Sequence, residues 1–540
     1  MPPPPEGFPT TPNVDPNIVY NNYISTDSPP NYCGSKVPVQ SDLNIHAWKQ
    51  YAAIIDPVDP TLIPQLEFGF SMAIDYSHDI QVPVTNHPSA KQEYTVIDDF
   101  IVKHYSSGAL LGPYKVNPFP VPIFPSPMQV VTSASGKKRP VIDMSYPKYS
   151  SVNSAIPKQW CEIPGFDGVF KLPTHDDVCK AILTTEDPRM FLVDLKAYYM
   201  QLPSDWRDTP YMCVVWRGGI YLHRRLPFGC RTSCLHAQRV TDAIVLIYTR
   251  HVPANLSGYV DDFCSIVRSL LSASAFAKFN ALLDELGLRR TLEKCVPPAL
   301  VAVFLGLLYH LRDMYMALPD DKLARALTLM QSWLERDQCT KAQLQSLLGH
   351  LNHIATVLHA ARPFTSSIVD LLREDHFPAS VTPEIKQDIE MWINFLSSEW
   401  SKKSIIKSQD MATPDELLRV AVRHRTFVIY CCGELQGYVL HDHEPSLPPH
   451  AMYAVAVWLA VQKHGQLFEN QVVKISVPYK AAVVLLNRAR TPCVNIRKLV
   501  REMWLDQARL DCVVKAVLSP VKNNDMYEMF HNFIPVKLPH

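Results

Sequence analysis

The stretch Gly258-Tyr259-Val260-Asp261-Asp262-Phe263 constrains the fold of this chain more than any other part of its sequence. A turn-forming composition, Asn-Leu-Ser-Gly, leads into it, and an apolar run follows it. The pattern predicts two strands joined by a turn, with both carboxylates at or near the tip. Two adjacent carboxylates among apolar residues repel each other and resist burial, so a cation is their natural counterpart. Magnesium is suitable because it takes oxygen ligands and keeps positions open for phosphate.

A third carboxylate stands at the end of another apolar run. Asp194 closes the sequence Met190-Phe191-Leu192-Val193-Asp194. A phosphoryl-transfer site with two metal ions needs such a further ligand from elsewhere in the chain. An isolated Asp-Asp pair is more typical of a solvated turn, and only the surrounding motifs favour a metal site.

The bulk composition permits a nucleic-acid partner without requiring one. The 540 residues include 52 Lys and Arg and 52 Asp and Glu, so the formal net charge is zero. A neutral protein binds nucleic acid where its basic residues gather in a groove. The 13 cysteines include no Cys-x-x-Cys pair, so we expect reduced thiols in an intracellular protein of the cytoplasm or nucleus. No apolar run reaches membrane-spanning length, so we expect no membrane partner.

The N-terminal region is rich in proline, with nine prolines among the first thirty residues. We therefore expect residues 1–44 to form an extended or disordered arm. Residues 94–111 have apolar residues at helical spacing, and Gly112-Pro113 is expected to end that helix.

Residues 128–143 predict a second hairpin with a basic turn. Lys137, Lys138 and Arg139 follow one another there. These cations indicate either a solvated loop or a clamp for the triphosphate of an incoming nucleotide. Arg224, Arg225 and Arg231 form another basic group, which brackets the turn at residues 226–233 and is a candidate surface for nucleic acid or nucleotide.

Five motifs follow one another in an order that resembles the reverse transcriptases of retroelements. Val-Asp-Leu-Lys-Ala-Tyr-Tyr at Asp194, the Leu-Pro-Phe-Gly-Cys-Arg turn and Tyr-Val-Asp-Asp resemble the palm motifs. Arg-Pro-Val-Ile-Asp-Met-Ser-Tyr-Pro, with Ser-Val-Asn after it, resembles the fingers signature, and Glu-Lys and Phe-Leu-Gly resemble motifs that follow the palm. Residues 318–323 and 343–353 are similar to DIRS-like, tyrosine-recombinase retrotransposons in particular.

The resemblance implies an α/β fold, a right-hand polymerase with an α+β palm and a C-terminal ribonuclease-H-like α/β domain. Fingers and palm would occupy residues 45–310 and thumb-like helices residues 311–375. A connection helix and linker would span residues 376–419, and the last domain residues 420–540.

The resemblance also implies a two-metal site. Asp194, Asp261 and Asp262 would hold two Mg²⁺ ions for attack of a primer end on a nucleotide. Lys294 resembles the lysine that protonates the leaving pyrophosphate, and an exposed lysine at a helix end is the alternative.

Four further residues would bind the nucleotide by the same resemblance. Tyr199 would lie beneath the sugar and clash with a 2′-hydroxyl. Phe228 would line the pocket, and Arg139 and Lys137 would bind the triphosphate.

The last domain lacks the four carboxylates that ribonuclease H activity needs. Three of the positions fall at Cys431 or Cys432, at Ala451 and at Pro478, and the final aspartate is replaced by Glu528. Because apolar side chains cannot bind magnesium, we expect a folded domain without nuclease activity. It would support the thumb and contact duplex through basic residues: Arg488, Arg490, Arg497, Lys498 and Arg501.

The favoured function is RNA-directed DNA synthesis. Its partners would be an RNA or DNA template with primer, deoxynucleoside triphosphates and other retroelement-encoded proteins. The alternative is a relic or co-opted retroelement protein that binds nucleic acid without catalysis.

Overall fold

The structure is a computed structural model that describes residues 2–26, 37–82, 85–133, 136–159, 170–399, 402–414, 417–440, 447–489, 491, 494–519, 530 and 536–537. The chain forms two compact units. The first comprises Met1–Pro173 and Met190–Pro298, and the second comprises Thr174–Arg189 and Ala299–His540.

Both units contain helices and strands. The α-helices are α1 Pro16–Ile24, α2 Ile45–Gln50, α3 Ala52–Ile55, α4 Leu62–Phe68, α5 Pro88–Gln92, α6 Tyr94–Ser106, α7 His175–Thr184, α8 Ser233–His251, α9 Ser272–Glu285, α10 Asp320–Leu334, α11 Lys341–Ile354, α12 Ser366–Leu371, α13 Pro383–Ser397, α14 Pro449–Phe468, α15 Lys480–Arg488 and α16 Val494–Arg509. The β-strands are β1 Leu110–Tyr114, β2 Met128–Thr132, β3 Lys138–Ile142, β4 Pro188–Asp194, β5 Cys213–Trp216, β6 Gly219–His223, β7 Asn255–Tyr259, β8 Asp262–Arg268, β9 Val296–Ala299, β10 Val301–Phe304, β11 Leu307–His310, β12 Tyr315–Ala317, β13 Gln338–Cys339, β14 Ala379–Ser380, β15 Lys403–Ile405, β16 Leu418–Arg423, β17 Thr426–Cys431, β18 Glu434–Val439, β19 Val472–Val477, β20 Val513–Leu518 and β21 Val536–Lys537. No helix among the described residues is both long and apolar enough to cross a bilayer.

A four-stranded sheet with the order β7-β8-β4-β9 forms the centre of the first unit. Its apolar residues are buried under the flanking helices, which is why β4 reads as a continuous apolar run. The Phe191 ring of β4 lies 5.3 Å from the Phe276 ring and 6.0 Å from the Phe279 ring, both on α9. The apolar stripe of α9 is therefore core.

The predicted hairpin at residues 128–143 is confirmed, because β2 and β3 pair antiparallel with Val131 opposite Arg139. The predicted helix end at Gly112-Pro113 is wrong. α6 ends at Ser106, and β1 begins at Leu110 and contains that Gly-Pro pair. β1 pairs with β6 at the edge of a three-stranded sheet, a position where a proline without an N–H is tolerated.

The expectation of a disordered N-terminal arm is wrong for the described residues around α1. Val19 of α1 is fully buried in a small apolar cluster with residues of β1 and β6. Asn13 Nδ2 donates to the Leu110 carbonyl at 2.9 Å, and the Gly112 N–H donates to Asn13 Oδ1 at 3.1 Å. These bonds satisfy backbone groups along β1 that an uncovered edge would leave to water.

Helices α10 and α11 lie within the residues expected to form thumb-like helices, and α13 lies within those expected to form the connection helix. Thr340 and Gln343 form a capping box at the start of α11, with Gln343 N–H donating to Thr340 Oγ1 at 3.2 Å. Gln343 Oε1 accepts from the Thr340 N–H at 2.9 Å, so two backbone donors at the helix start are satisfied.

The C-terminal part of the second unit contains two groups of strands, with helices between and after them. β16, β17 and β18 form an antiparallel meander, and β19 pairs parallel with β20. Cys431 ends β17, Ala451 lies fully buried near the start of α14 and Pro478 follows β19. The predicted position at Glu528 lies outside the described residues.

Candidate active site

The Tyr-Val-Asp-Asp stretch forms the tip of the predicted hairpin. Tyr259 pairs with Asp262, so Val260 and Asp261 make the turn between β7 and β8. Asp261 and Asp262 are half-buried there. The hairpin therefore presents two carboxylates at one end of the central sheet.

Asp194 reaches the same end of the sheet from the neighbouring strand β4. The Leu195 N–H donates to the Asp261 carbonyl at 2.9 Å, and the Thr291 N–H donates to the Asp194 carbonyl at 2.8 Å. The first bond ties the end of β4 to the hairpin turn, and the second ties it to the segment that carries Lys294. All three predicted carboxylates are thus neighbours, although Asp194 is 67 positions from Asp261 in the sequence.

The three carboxyl groups influence one another electrostatically. Burial, followed by repulsion from Asp261 and Asp194, raises the pKa of Asp262 to about 6. Burial is also the largest cause of the raised pKa of Asp261, and Asp194 adds to it. A nearby cation would relieve this repulsion and favour the ionised forms.

The donor set fits magnesium, because all three groups offer carboxylate oxygens. Within the described residues, however, no three His, Cys, Asp or Glu side chains are already spaced to hold one ion. Lys294 supplies a counter-charge to Asp194.

Lys294 contacts the site directly. Its Nζ donates to Asp194 Oδ2 at 2.6 Å, from the short 3₁₀ turn Leu292–Lys294 that follows α9. The rest of the side chain is largely exposed. The bond to Asp194 raises the pKa of the Lys294 ammonium, which stays protonated at neutral pH.

An aromatic pair lies beside the carboxylates. Tyr199 belongs to the 3₁₀ turn Tyr198–Gln201, and its ring lies 4.8 Å from the Phe228 ring. Burial, the neighbouring Cys234 thiol and then the Asp261 carboxylate raise the pKa of the Tyr199 phenol. Phe228 is 47% exposed, so one ring of the pair faces solvent.

The turn that carries Phe228 is held by the segment after β3. A Cβ at Gly229 would lie 2.2 Å from the Ile142 carbonyl oxygen, and the φ of Gly229 is +108°. Asn153 Nδ2 donates to the Gly229 carbonyl at 2.7 Å, and the Arg231 N–H donates to Asn153 Oδ1 at 2.9 Å. Only glycine allows this close approach of two backbones.

Lys137 and Arg139 lie on the β2–β3 hairpin, and both are exposed. Lys138 between them is engaged, since its Nζ lies 2.7 Å from Glu93 Oε1. The end of β3 at Ile142 abuts Gly229, so the basic hairpin and the Phe228 turn are parts of one packed segment. The clamp role of the two cations stays a prediction.

The second predicted basic group, Arg224, Arg225 and Arg231, does not form an exposed surface for a ligand. Arg224 is 3% exposed and donates to Thr209 Oγ1 at 2.6 Å and to the Ser204 carbonyl at 2.9 Å. Its guanidinium stacks 3.6 Å from the Trp206 ring centroid. Arg225 is buried as well, and Arg231 donates to the Ile156 carbonyl at 2.5 Å. These arginines stabilise the fold instead of meeting a ligand.

Sequence reasoning missed three polar residues that hold the site: Asn153, Gln238 and Thr241. Asn153 lies within a quoted motif but was given no role. Gln238 and Thr241 are three positions apart and fully buried on α8. Polar residues one turn apart inside an otherwise apolar helix face were the available signal.

Comparison with solved structures identifies the fold. The structure of the foamy viral protease-reverse transcriptase dRH in complex with double-stranded DNA matches with a TM-score of 0.50 and 16% identity, covering 96% of this chain and 84% of that chain. A second foamy viral protease-reverse transcriptase in complex with double-stranded DNA has a TM-score of 0.48 and 18% identity, covering 89% and 95%. No protein-family model and no curated protein matches the sequence. The first match confirms the predicted fold class, an α/β right-hand polymerase with a ribonuclease-H-like domain.

Proposed function

We propose that this chain is the RNA-directed DNA polymerase of a DIRS-like retroelement. One observation carries the proposal. Three carboxylates from two neighbouring strands converge at one end of the central sheet, beside an aromatic pair and a protonated lysine. The fold is the one on which reverse transcription is performed elsewhere, and the site chemistry agrees with it.

Asp194, Asp261 and Asp262 would hold two magnesium ions. When bound, the ions lower the pKa of the primer 3′-hydroxyl and stabilise the charge on the leaving pyrophosphate. The carboxylates are fixed in place because they lie at or beside the ends of paired strands, and they would orient the reacting groups. The Lys294 Nζ carries a proton close to Asp194, where it can be donated to the pyrophosphate oxygen.

Tyr199 and Phe228 would form the wall of the nucleotide pocket. Two packed rings are rigid, so Tyr199 can exclude a 2′-hydroxyl by its volume. Lys137 and Arg139 would meet the triphosphate from their exposed hairpin. The partners would be deoxynucleoside triphosphates and a primed RNA or DNA template, with other proteins of the same element.

The last domain would be a ribonuclease H fold without its catalysis, retained for support. Cys431, Ala451 and Pro478 offer magnesium no oxygen side chain. Two of its basic residues are paired with carboxylates on other helices: Arg497 pairs with Asp370 on α12 at 2.5 Å, and Arg501 pairs with the fully buried Asp388 on α13. These ion pairs contradict the expectation that Arg497 and Arg501 contact duplex. Arg490 lies outside the described residues. Arg488 and Lys498 remain candidates.

Primer extension on the purified full-length chain tests the function. RNA and DNA templates with a labelled DNA primer, magnesium and deoxynucleotides should both give extended products. A chain that binds the primed template tightly but extends neither would instead be the non-catalytic nucleic-acid-binding relic. A product made only from ribonucleotides would also contradict the proposal.

The full-length chain should not cut the RNA strand of an RNA–DNA hybrid. Two-metal hydrolysis needs several carboxylates to place both ions, and the described candidate positions lack them. The assay uses a labelled hybrid with magnesium or manganese and no nucleotides, and compares wild type with Glu434→Gln and Glu528→Gln. Cleavage that is equal in all preparations indicates a contaminant. Cleavage lost with either substitution would contradict the prediction.

A further inference from the structure

The turn between β7 and β8 holds Val260 in a backbone conformation that this residue type disfavours. Val260 has φ +55°, in the left-handed region. This region is costly for a β-branched residue, and such a conformation persists only where surrounding contacts impose it. The contacts that impose it here come from one helix.

Gln238 of α8 holds the backbone on both sides of Val260. The Val260 N–H donates to Gln238 Oε1 at 2.8 Å, and Gln238 Nε2 donates to the Gly258 carbonyl at 2.9 Å. Nε2 also donates to Asp242 Oδ1 at 2.7 Å, so the amide orientation is set by three partners. Gln238 is 1% exposed, and water does not compete for these bonds.

Thr241, one turn further along α8, binds the carbonyl group of Val260. Its Oγ1 donates to the Val260 carbonyl at 2.5 Å. The Tyr198 hydroxyl lies 3.1 Å from that Oγ1, which links the turn to the 3₁₀ segment that carries Tyr199. Helix and hairpin are in tight contact, because a Cβ at Gly258 would lie 2.2 Å from Thr241 Cγ2.

We propose that Gln238 and Thr241 are positioning residues for the carboxylates of Asp261 and Asp262. Both polar groups of the Val260 backbone are bound by these two side chains, and Asp261 is the next residue. Without the bonds, Val260 can relax toward negative φ, which turns the following peptide and moves Asp261 away from Asp194. This inference rests on the proposed metal-dependent function of the site.

Gln238→Met and Thr241→Val test the proposal, because both keep the side-chain volume and remove the hydrogen bonds. Groups that orient metal ligands typically contribute about 10- to 100-fold to metal affinity or activity. We expect each variant to weaken Mn²⁺ binding to the full-length chain by about that factor, measured by electron paramagnetic resonance of the free ion. The value of kcat for primer extension should fall by a similar factor, with the melting temperature close to wild type.

Two further variants separate positioning from general packing. Thr241→Ser keeps the hydroxyl and should restore most of the Mn²⁺ affinity. Thr249→Val removes a hydroxyl that bonds the Val245 carbonyl on the same helix at 2.8 Å, far from the turn, and should behave as wild type.

Asp261→Asn separates a failure of the proposed metal site from a failure of the proposed positioning role. If it leaves Mn²⁺ binding unchanged, the proposed metal site is wrong. If it abolishes binding while Gln238→Met and Thr241→Val bind Mn²⁺ as wild type, the metal site stands and the positioning role is overturned. If Thr241→Ser binds as poorly as a misfolded Thr241→Val, the hydroxyl is not the cause and the role of Thr241 is likewise overturned.

Discussion

Asp261→Asn and Asp262→Asn should each reduce magnesium-dependent primer extension by about three orders of magnitude or more. An amide keeps the size of the carboxylate but removes its charge and one oxygen ligand. Two closely spaced divalent ions cannot be held by the two carboxylates that remain. The loss should appear in kcat, because the missing interaction stabilises the transition state more than it stabilises bound nucleotide.

Single-turnover extension with saturating nucleotide measures this effect without interference from product release. Asp99→Asn is the matched control, since Asp99 is an exposed carboxylate on α6 of the same unit and should extend at the wild-type rate. Circular dichroism should show all three variants folded, because removing a like charge relieves the repulsion that raises the pKa of Asp262. Extension by both site variants within tenfold of wild type would remove the proposed site.

Tyr199→Ala should raise the use of ribonucleotides relative to deoxyribonucleotides by roughly 10- to 100-fold. The ring is packed against Phe228, so it cannot swing aside to admit a 2′-hydroxyl. Truncation at Cβ opens that space, and discrimination by volume is lost. The measurement is the ratio of kcat/KM for a deoxynucleotide and the matching ribonucleotide on one primed template.

Tyr199→Phe is the matched control for the sugar preference. It keeps the ring and removes only the hydroxyl, so the ratio should stay near that of wild type. An unchanged ratio in Tyr199→Ala would make this residue a core aromatic and nothing more. Equal relaxation in both variants would assign the discrimination to the hydroxyl instead of the ring.

The elements that depend on nearby residues were predictable from the sequence. The hairpin at Tyr259 and Asp262, the β2–β3 hairpin and the capping box at Thr340 and Gln343 each arise from a few consecutive residues. Their patterns of turn formers, alternation and caps carry the physical cause within the pattern itself. Motif order identified the three carboxylates before any contact between them was visible.

Elements that depend on distant partners were not predictable in the same way. Leu110 and Leu111 belong to the helical pattern of residues 94–111, but pairing with β6 places both of them in strand β1. The proline-rich arm is polar enough to be solvated, yet Asn13 finds its partner 99 positions away at Gly112. In both cases an open strand edge gained hydrogen bonds that local propensity does not register.

The roles of charged side chains also depend on distant partners that the sequence does not reveal. Arg224, Arg497 and Arg501 look alike in the sequence, as basic residues beside candidate binding surfaces. Burial against Trp206 in one case, and carboxylates on other helices in the others, commit them to the fold. Whether a cation is available to a ligand depends on its burial and its partners, which are properties of the folded chain.

The sequence by itself determined which residues are the candidates for the chemistry: three aspartates, one lysine and an aromatic pair, in a recognisable order. Only the tertiary structure decided how they are held. Asn153 bonds the Gly229 turn, and Gln238 and Thr241 bond both polar groups of the Val260 backbone. These contacts join residues 19 to 76 positions apart, and their strength depends on exclusion of water from a packed interior. No local pattern encodes that exclusion, because it exists only after helix and hairpin have come together.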